Sequence, residues 1–150
     1  MMHSGYLIVE TRADHAGRVR IYSAARQPTL LAESQTPASE DPAIPCIRYV
    51  AVFDSLDVAL MHAQTALRGC LIDVDAGLYR TDPLTAVAAV DAIDLRHQVQ
   101  YLDPALAADP RLSAATEQRR TRRRWIDRAW TAVGILAILL LLLLGQFPFG

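Results

Sequence analysis

Cysteine is scarce in this chain: only Cys46 and Cys70 occur, and they form no C-x-x-C pair. That excludes a disulfide framework and a cysteine-built zinc site, leaving two isolated thiols expected to be buried and unpaired. Histidine is as sparse. His3, His15, His62 and His97 form no H-x-x-x-H and have no suitably spaced cysteine, so no metal motif is expected. The seven glycines are scattered singly, which excludes a glycine-rich phosphate loop, and neither Ser4 nor Ser23 lies in a nucleophile elbow. No cofactor or small-molecule substrate is implied. Lysine is absent and all 15 basic residues are Arg; genome composition suffices to explain this, and no function follows. Met1-Met2-His3-Ser4-Gly5 carries no basic start followed by an apolar run, so no signal peptide is expected.

The net charge of -1 hides a marked asymmetry. Residues 1–118 hold 9 Arg against 15 Asp and Glu, a balance of -6, whereas residues 119–128 hold six Arg and one Asp, a balance of +5. An acidic domain on a basic collar is poorly suited to wrapping nucleic acid, and no nucleic-acid partner is expected.

Charge is missing altogether from the last 22 residues, 129–150. At about 1.5 Å per residue such a helix reaches about 33 Å, the thickness of a hydrocarbon core. Ten strongly apolar side chains at about -0.5 kcal/mol each favour insertion by about 5 kcal/mol. A core helix of a soluble domain would keep a polar face, and residues 132–144 offer none. Trp125 and Trp130 stand where indole rings favour the headgroup layer. Arg119, Arg120, Arg122, Arg123, Arg124 and Arg128 precede the span and nothing basic follows it, which sets the N-terminal domain in the cytoplasm and the Arg collar against anionic lipid. The expected division is a soluble domain over 1–103, a linker and Arg-rich juxtamembrane helix over 104–128, and a transmembrane helix over 129–148. The expected location is a bacterial-type inner membrane, with a single tail anchor.

Within the soluble part, Tyr6-Leu7-Ile8-Val9 and the alternating Arg18-Val19-Arg20-Ile21-Tyr22 predict a hairpin turning at Asp14-His15-Ala16-Gly17. Four prolines in residues 24–45 predict a loop with one helical turn near 29–34. A strand is expected over 47–53. The helix over 56–68 that follows is capped by Asp54 or Ser55, with Leu56, Leu60, Ala63 and Leu67 as its apolar stripe. A short strand at 71–74 and its continuation at 78–80 precede a second helix, capped by Asp82 with Pro83 at its first position. Leu84, Val87, Val90 (or Ala88) and Ile93 are its expected buried face. A last strand is expected at 97–101. Together these give an α+β fold: a small mixed or antiparallel sheet with two packed helices, followed by a single C-terminal transmembrane helix.

Three groups are the candidates for chemistry. Asp73 and Asp75 alternate along an expected strand, so both carboxylates could share one face and hold a divalent cation or do acid–base work, or stand as a solvated strand end. His62 is a helix-boundary residue or a ligand. Asp91 and Asp94 lie near His97, either as a catalytic set or as surface groups at a helix end.

Gly5-Tyr6-Leu7 followed by Val19-Arg20-Ile21 resembles the paired strands of the GIY-YIG nuclease superfamily. Ala25-Arg26-Gln27-Pro28 and Leu30-Leu31 look like the entry to that family's first helix. The strand at 47–53 with the helix at 56–67 is similar to its later strand and its metal-binding helix. The likeness covers residues 5–95. It departs where chemistry would sit: the family's catalytic Arg falls at Leu30 or Leu31, its metal-binding Glu at Leu60 or Met61, and its second Tyr at Val19 or displaced to Tyr22. The resemblance therefore implies a fold whose cleavage chemistry has been lost. The expected function is a membrane-tethered, non-catalytic module for a protein partner. The alternatives are an accessory subunit of a larger membrane complex, or a tethered residual nuclease or hydrolase.

Overall fold

The computed structural model describes residues 4–28 and 45–145. The helical turn expected near 29–34 lies outside the described residues, as do Leu30 and Leu31.

Two neighbouring strands open the fold, β1 (Gly5–Thr11) and β2 (Val19–Ala24). They pair antiparallel from Tyr6↔Ala24 to Thr11↔Val19, joined through a short 3₁₀ turn at Ala13–His15. The third strand, β3 (Cys46–Phe53), returns on the other side of β1, with Gly5 opposite Phe53. After helix α1 (Leu56–Ala66) come two short strands, β4 (Leu71–Asp73) and β5 (Leu78–Tyr79), then α2 (Pro83–Asp91) and β6 (His97–Leu102). Every pairing is antiparallel and the strand order is β4-β5-β2-β1-β3-β6, a six-stranded sheet centred on β2 and β1. A four-residue helix, α3 (Pro104–Ala107), leads into α4 (Pro110–Gly145), 36 residues long.

Alternation along the strands sends Leu7, Val9, Val19, Ile21, Tyr49, Ala51 and Phe53 to one face, where they form the core with α1 and α2. The stripe of α1 is Leu56, Ala59 and Ala63 with Leu67 just beyond its end, while Leu60 is only half-buried. Ser55 stands at its N-cap without a side-chain capping bond. Asp82 does cap α2, accepting from the Thr85 amide at 2.9 Å. Burial of α2 is wider than the expected stripe: Ala86 to Val90 are buried without a gap. The cause is α4, whose opening turns cover the side of α2 turned away from the sheet.

Gly5 has a packing role, because a Cβ there would come within 2.5 Å of a Leu56 methyl. Gly77, in the β4–β5 turn, has φ +62 and lies so close to Ile21 that a Cβ would reach its carbonyl oxygen at 2.2 Å. In that turn the Asp73 Oδ1 accepts the amides of Asp75 and Ala76. β4 ends at Asp73, so the two carboxylates do not alternate along a strand as the sequence suggested.

Leu112, Ala115, Thr116, Arg119 and Arg120 mark the face of α4 that meets the domain, and from residue 121 to 144 every side chain is exposed. The apolar stretch of this helix has no buried residue. Among the described residues it is the one helix long and apolar enough to cross a bilayer.

Candidate functional site

The polar groups of the domain converge where α4 leaves it. Asp91, the last residue of α2, lies at the centre. Its Oδ1 accepts from the Tyr49 hydroxyl at 3.1 Å, and the His97 Nε2 stands 3.6 Å from the same oxygen. Arg120 of α4 donates to the Asp91 backbone carbonyl at 2.9 Å, with Oδ2 at 3.4 Å. That guanidinium thus caps the carbonyl end of α2, where a cation is favoured. Three elements of the domain, β3, β6 and α2, are tied to α4 through one carboxylate.

His97 is fixed further by stacking on Phe53, with ring centroids 4.8 Å apart, and by a 2.8 Å bond between its Nδ1 and the Leu95 carbonyl. Both of its ring nitrogens face oxygen acceptors. A ring donating from Nδ1 turns Nε2 to the carboxylate, and a proton on Nε2 makes that contact an ion pair. Such a ring holds elements together and is poorly placed to take a proton from a substrate. Tyr49 is fully buried, and its hydroxyl titrates well above the usual tyrosine range, first through burial and then through the Asp91 charge and hydrogen bond.

Beside this hub lies a cleft of about 260 Å³ between the connection at 92–97 and α4. Asp94, His97, Arg120, Arg123, Arg124 and Asp127 supply its polar wall. The collar arginines therefore divide. Arg119 and Arg120 turn to the domain, and Arg119 helps hold the Asp82 carboxyl below the usual carboxylate range. Burial alone would raise that carboxyl, and the bonds to Thr85 together with the Arg119 charge outweigh the effect. Arg122, Arg123, Arg124 and Arg128 are exposed, as are Trp125 at 72% and Trp130 at 71%. His62 on α1 is half-buried, and its pKa is lowered by burial and by the Arg123 charge.

A second polar cluster lies across the sheet. Glu10, only 5% exposed, is paired with Arg20 at 3.2 Å, and Arg20 stacks over Tyr22. Tyr22 is pushed up to about 12 by burial and by Glu10. Arg48 of β3 bonds Thr11 and pairs with Asp103, which also caps α3. These are charge pairs closing the ends of strands. Cys46 and Cys70 are free thiols, half-buried where full burial was expected. No group of three or more His, Cys, Asp or Glu gathers as a metal site among the described residues.

Of the sequence candidates, Asp91 and His97 do come together, whereas Asp94 stays exposed on the cleft wall and His62 belongs to α1. Tyr49 was missed. Its signal was a phenol in the middle of the most apolar strand, a position that demands a buried partner. No protein family, curated protein or solved structure matches this chain.

Proposed function

We propose that the chain is a single-pass membrane protein, with α4 crossing the bilayer and the α+β domain standing at the cytoplasmic face as a non-catalytic module for a protein partner. The observation that carries this is the continuity of α4. One helix packs on the domain through Leu112, Thr116 and Arg120, passes through the Arg collar, and continues as an apolar rod that no described residue covers. An uncovered surface of this kind is stable in lipid and costly in water. Arg122, Arg123, Arg124 and Arg128 at the domain end of the rod favour the cytoplasmic orientation. Rigid attachment favours a role in which a partner surface is displayed at a fixed height above the membrane.

The setting of His97 favours structure over catalysis, since its Nδ1 is taken by the Leu95 carbonyl, its ring stacks on Phe53, and its Nε2 faces the Asp91 carboxylate at 3.6 Å. The GIY-YIG-like reading fits β1 and β2 as adjacent antiparallel strands. The expected position of the family's metal ligand is occupied by Leu60 and Met61 on α1, in keeping with lost chemistry. Affinity capture of the full chain from native membranes in mild detergent tests the proposal. A stoichiometric protein partner that is retained when residues 129–144 are replaced by an unrelated transmembrane helix supports it. A partner lost on that swap makes α4 the binding element and the chain an accessory subunit of a membrane complex. No partner at all, together with Mg²⁺-dependent cleavage of nucleic acid, would overturn it in favour of a nuclease.

A further inference from the structure

The cleft at the root of α4 has a composition that selects among ligands. Arg120 is already committed to Asp91, so the free polar groups are Arg123 and Arg124 on one hand and Asp94 and Asp127 on the other. Neither Arg123 nor Arg124 makes an ion pair or a hydrogen bond among the described residues. Arg120, Arg123, Arg124 and Asp127 recur at the spacing of one helix face, a continuation of the stripe that packs on the domain. Opposite them, Asp94 projects from the connection between α2 and β6.

Position along α4 matters as much as charge. Arg124 precedes the first residue of the uncharged stretch, Ala129, by five residues, about 8 Å of helix. That is about the thickness of one headgroup layer. Trp125 is exposed next to it, at the level indole rings prefer. The cleft is also smaller than the roughly 300–1,000 Å³ of a pocket for a whole small-molecule substrate.

We propose that this cleft holds a phospholipid headgroup carrying both a phosphate and a primary ammonium, the phosphate against Arg123 and Arg124 and the ammonium against Asp94 and Asp127. A lipid with net negative charge would meet two carboxylates in the same space, and a choline headgroup has no N–H to donate to them. The zwitterion satisfies both signs while its acyl chains lie along the apolar part of α4. This deepens the membrane reading of α4 and rests on it.

The test uses the full chain reconstituted into nanodiscs of equimolar phosphatidylcholine, phosphatidylethanolamine and phosphatidylglycerol. Co-elution with the discs checks the membrane reading alone, and failure there overturns that reading. Lipids retained on the protein are then counted by native mass spectrometry. Retention of the ethanolamine lipid over each of the others by about fivefold is expected, the size of a partly exposed charge-assisted contact. Asp94→Asn with Asp127→Asn should abolish the preference over phosphatidylcholine. Arg123→Gln with Arg124→Gln should remove the retained ethanolamine lipid, while Arg68→Gln, exposed just beyond α1 and away from the cleft, should change nothing. Free O-phosphoethanolamine in excess should leave the lipid in place. Equal retention of all three lipids, a preference for phosphatidylglycerol, or displacement by the soluble compound would each overturn the proposal with the discs intact.

Discussion

Replacing Asp91 by Ala should loosen the domain from α4 and lower its stability by about 2–3 kcal/mol. The largest part is the Tyr49 hydroxyl, fully buried and hydrogen-bonded to Asp91 at 3.1 Å. Left unpaired, a buried donor costs about 1–3 kcal/mol. Arg120 keeps the backbone carbonyl of residue 91 and loses only the 3.4 Å carboxylate contact, which at its exposure contributes under about 1 kcal/mol. For a domain of about 100 residues, each kcal/mol moves the melting temperature by about 4–8 °C, so a fall of about 10–20 °C is expected. Tyr49→Phe should cost only about 1 kcal/mol, because it removes the hydroxyl together with its need for a partner. The double variant should then be more stable than the sum of the single ones by about 1 kcal/mol. Thermal unfolding of the full chain in detergent, followed by circular dichroism, measures all four corners of that cycle. An Asp91→Ala shift below about 3 °C, or strictly additive losses, would refute the view that this carboxylate ties the domain together.

Three other perturbations bear on different parts of the fold. His62 has its pKa lowered from 6.5, so the unfolded chain takes up its proton first and stability falls as pH drops through that value. His62→Gln, and to a lesser degree Arg123→Gln, should flatten the loss in melting temperature between pH 7 and pH 5. Tyr22, pushed up from 10.0 to about 12, should weaken the fold as pH rises between those values, and Tyr22→Phe should remove that alkaline loss in a pH-titrated melt. Gly77→Ala should cost at least about 2 kcal/mol in denaturant unfolding, combining the left-handed backbone with the clash on the Ile21 carbonyl.

Local pattern carried much of this architecture. The β-forming run Tyr6-Leu7-Ile8-Val9 and the alternation at Arg18-Val19-Arg20-Ile21-Tyr22 identified the hairpin, and Asp82-Pro83 marked the start of α2. What it did not carry was non-local. Nothing in the sequence placed β3 beside β1, with β5 and β4 beyond β2, because strand order depends on which surfaces bury each other. The stripe assigned to α2 was too narrow, since Ala86 and Ala89 are buried as well, in a helix that α4 packs against from a distant part of the chain. Asp73 and Asp75 misled because Gly77 turns the chain there, and the Asp73 carboxylate closes the turn. The hub is the same lesson in polar form. Asp91 and His97 are neighbours in sequence, yet only folding brings Tyr49 and Arg120 to them.

The central claim is that α4 crosses a membrane with the domain on the cytoplasmic side, and accessibility of one exposed residue tests it most directly. Met61 on α1 is 55% exposed, so Met61→Cys gives a reactive thiol on the domain surface. The full chain is expected to stay in the membrane pellet through alkaline extraction. Labelling of the introduced thiol by a membrane-impermeant maleimide, beyond the background from Cys46 and Cys70, should appear only after the cells are permeabilised. Release into the alkaline supernatant, or labelling in sealed cells, would contradict the account.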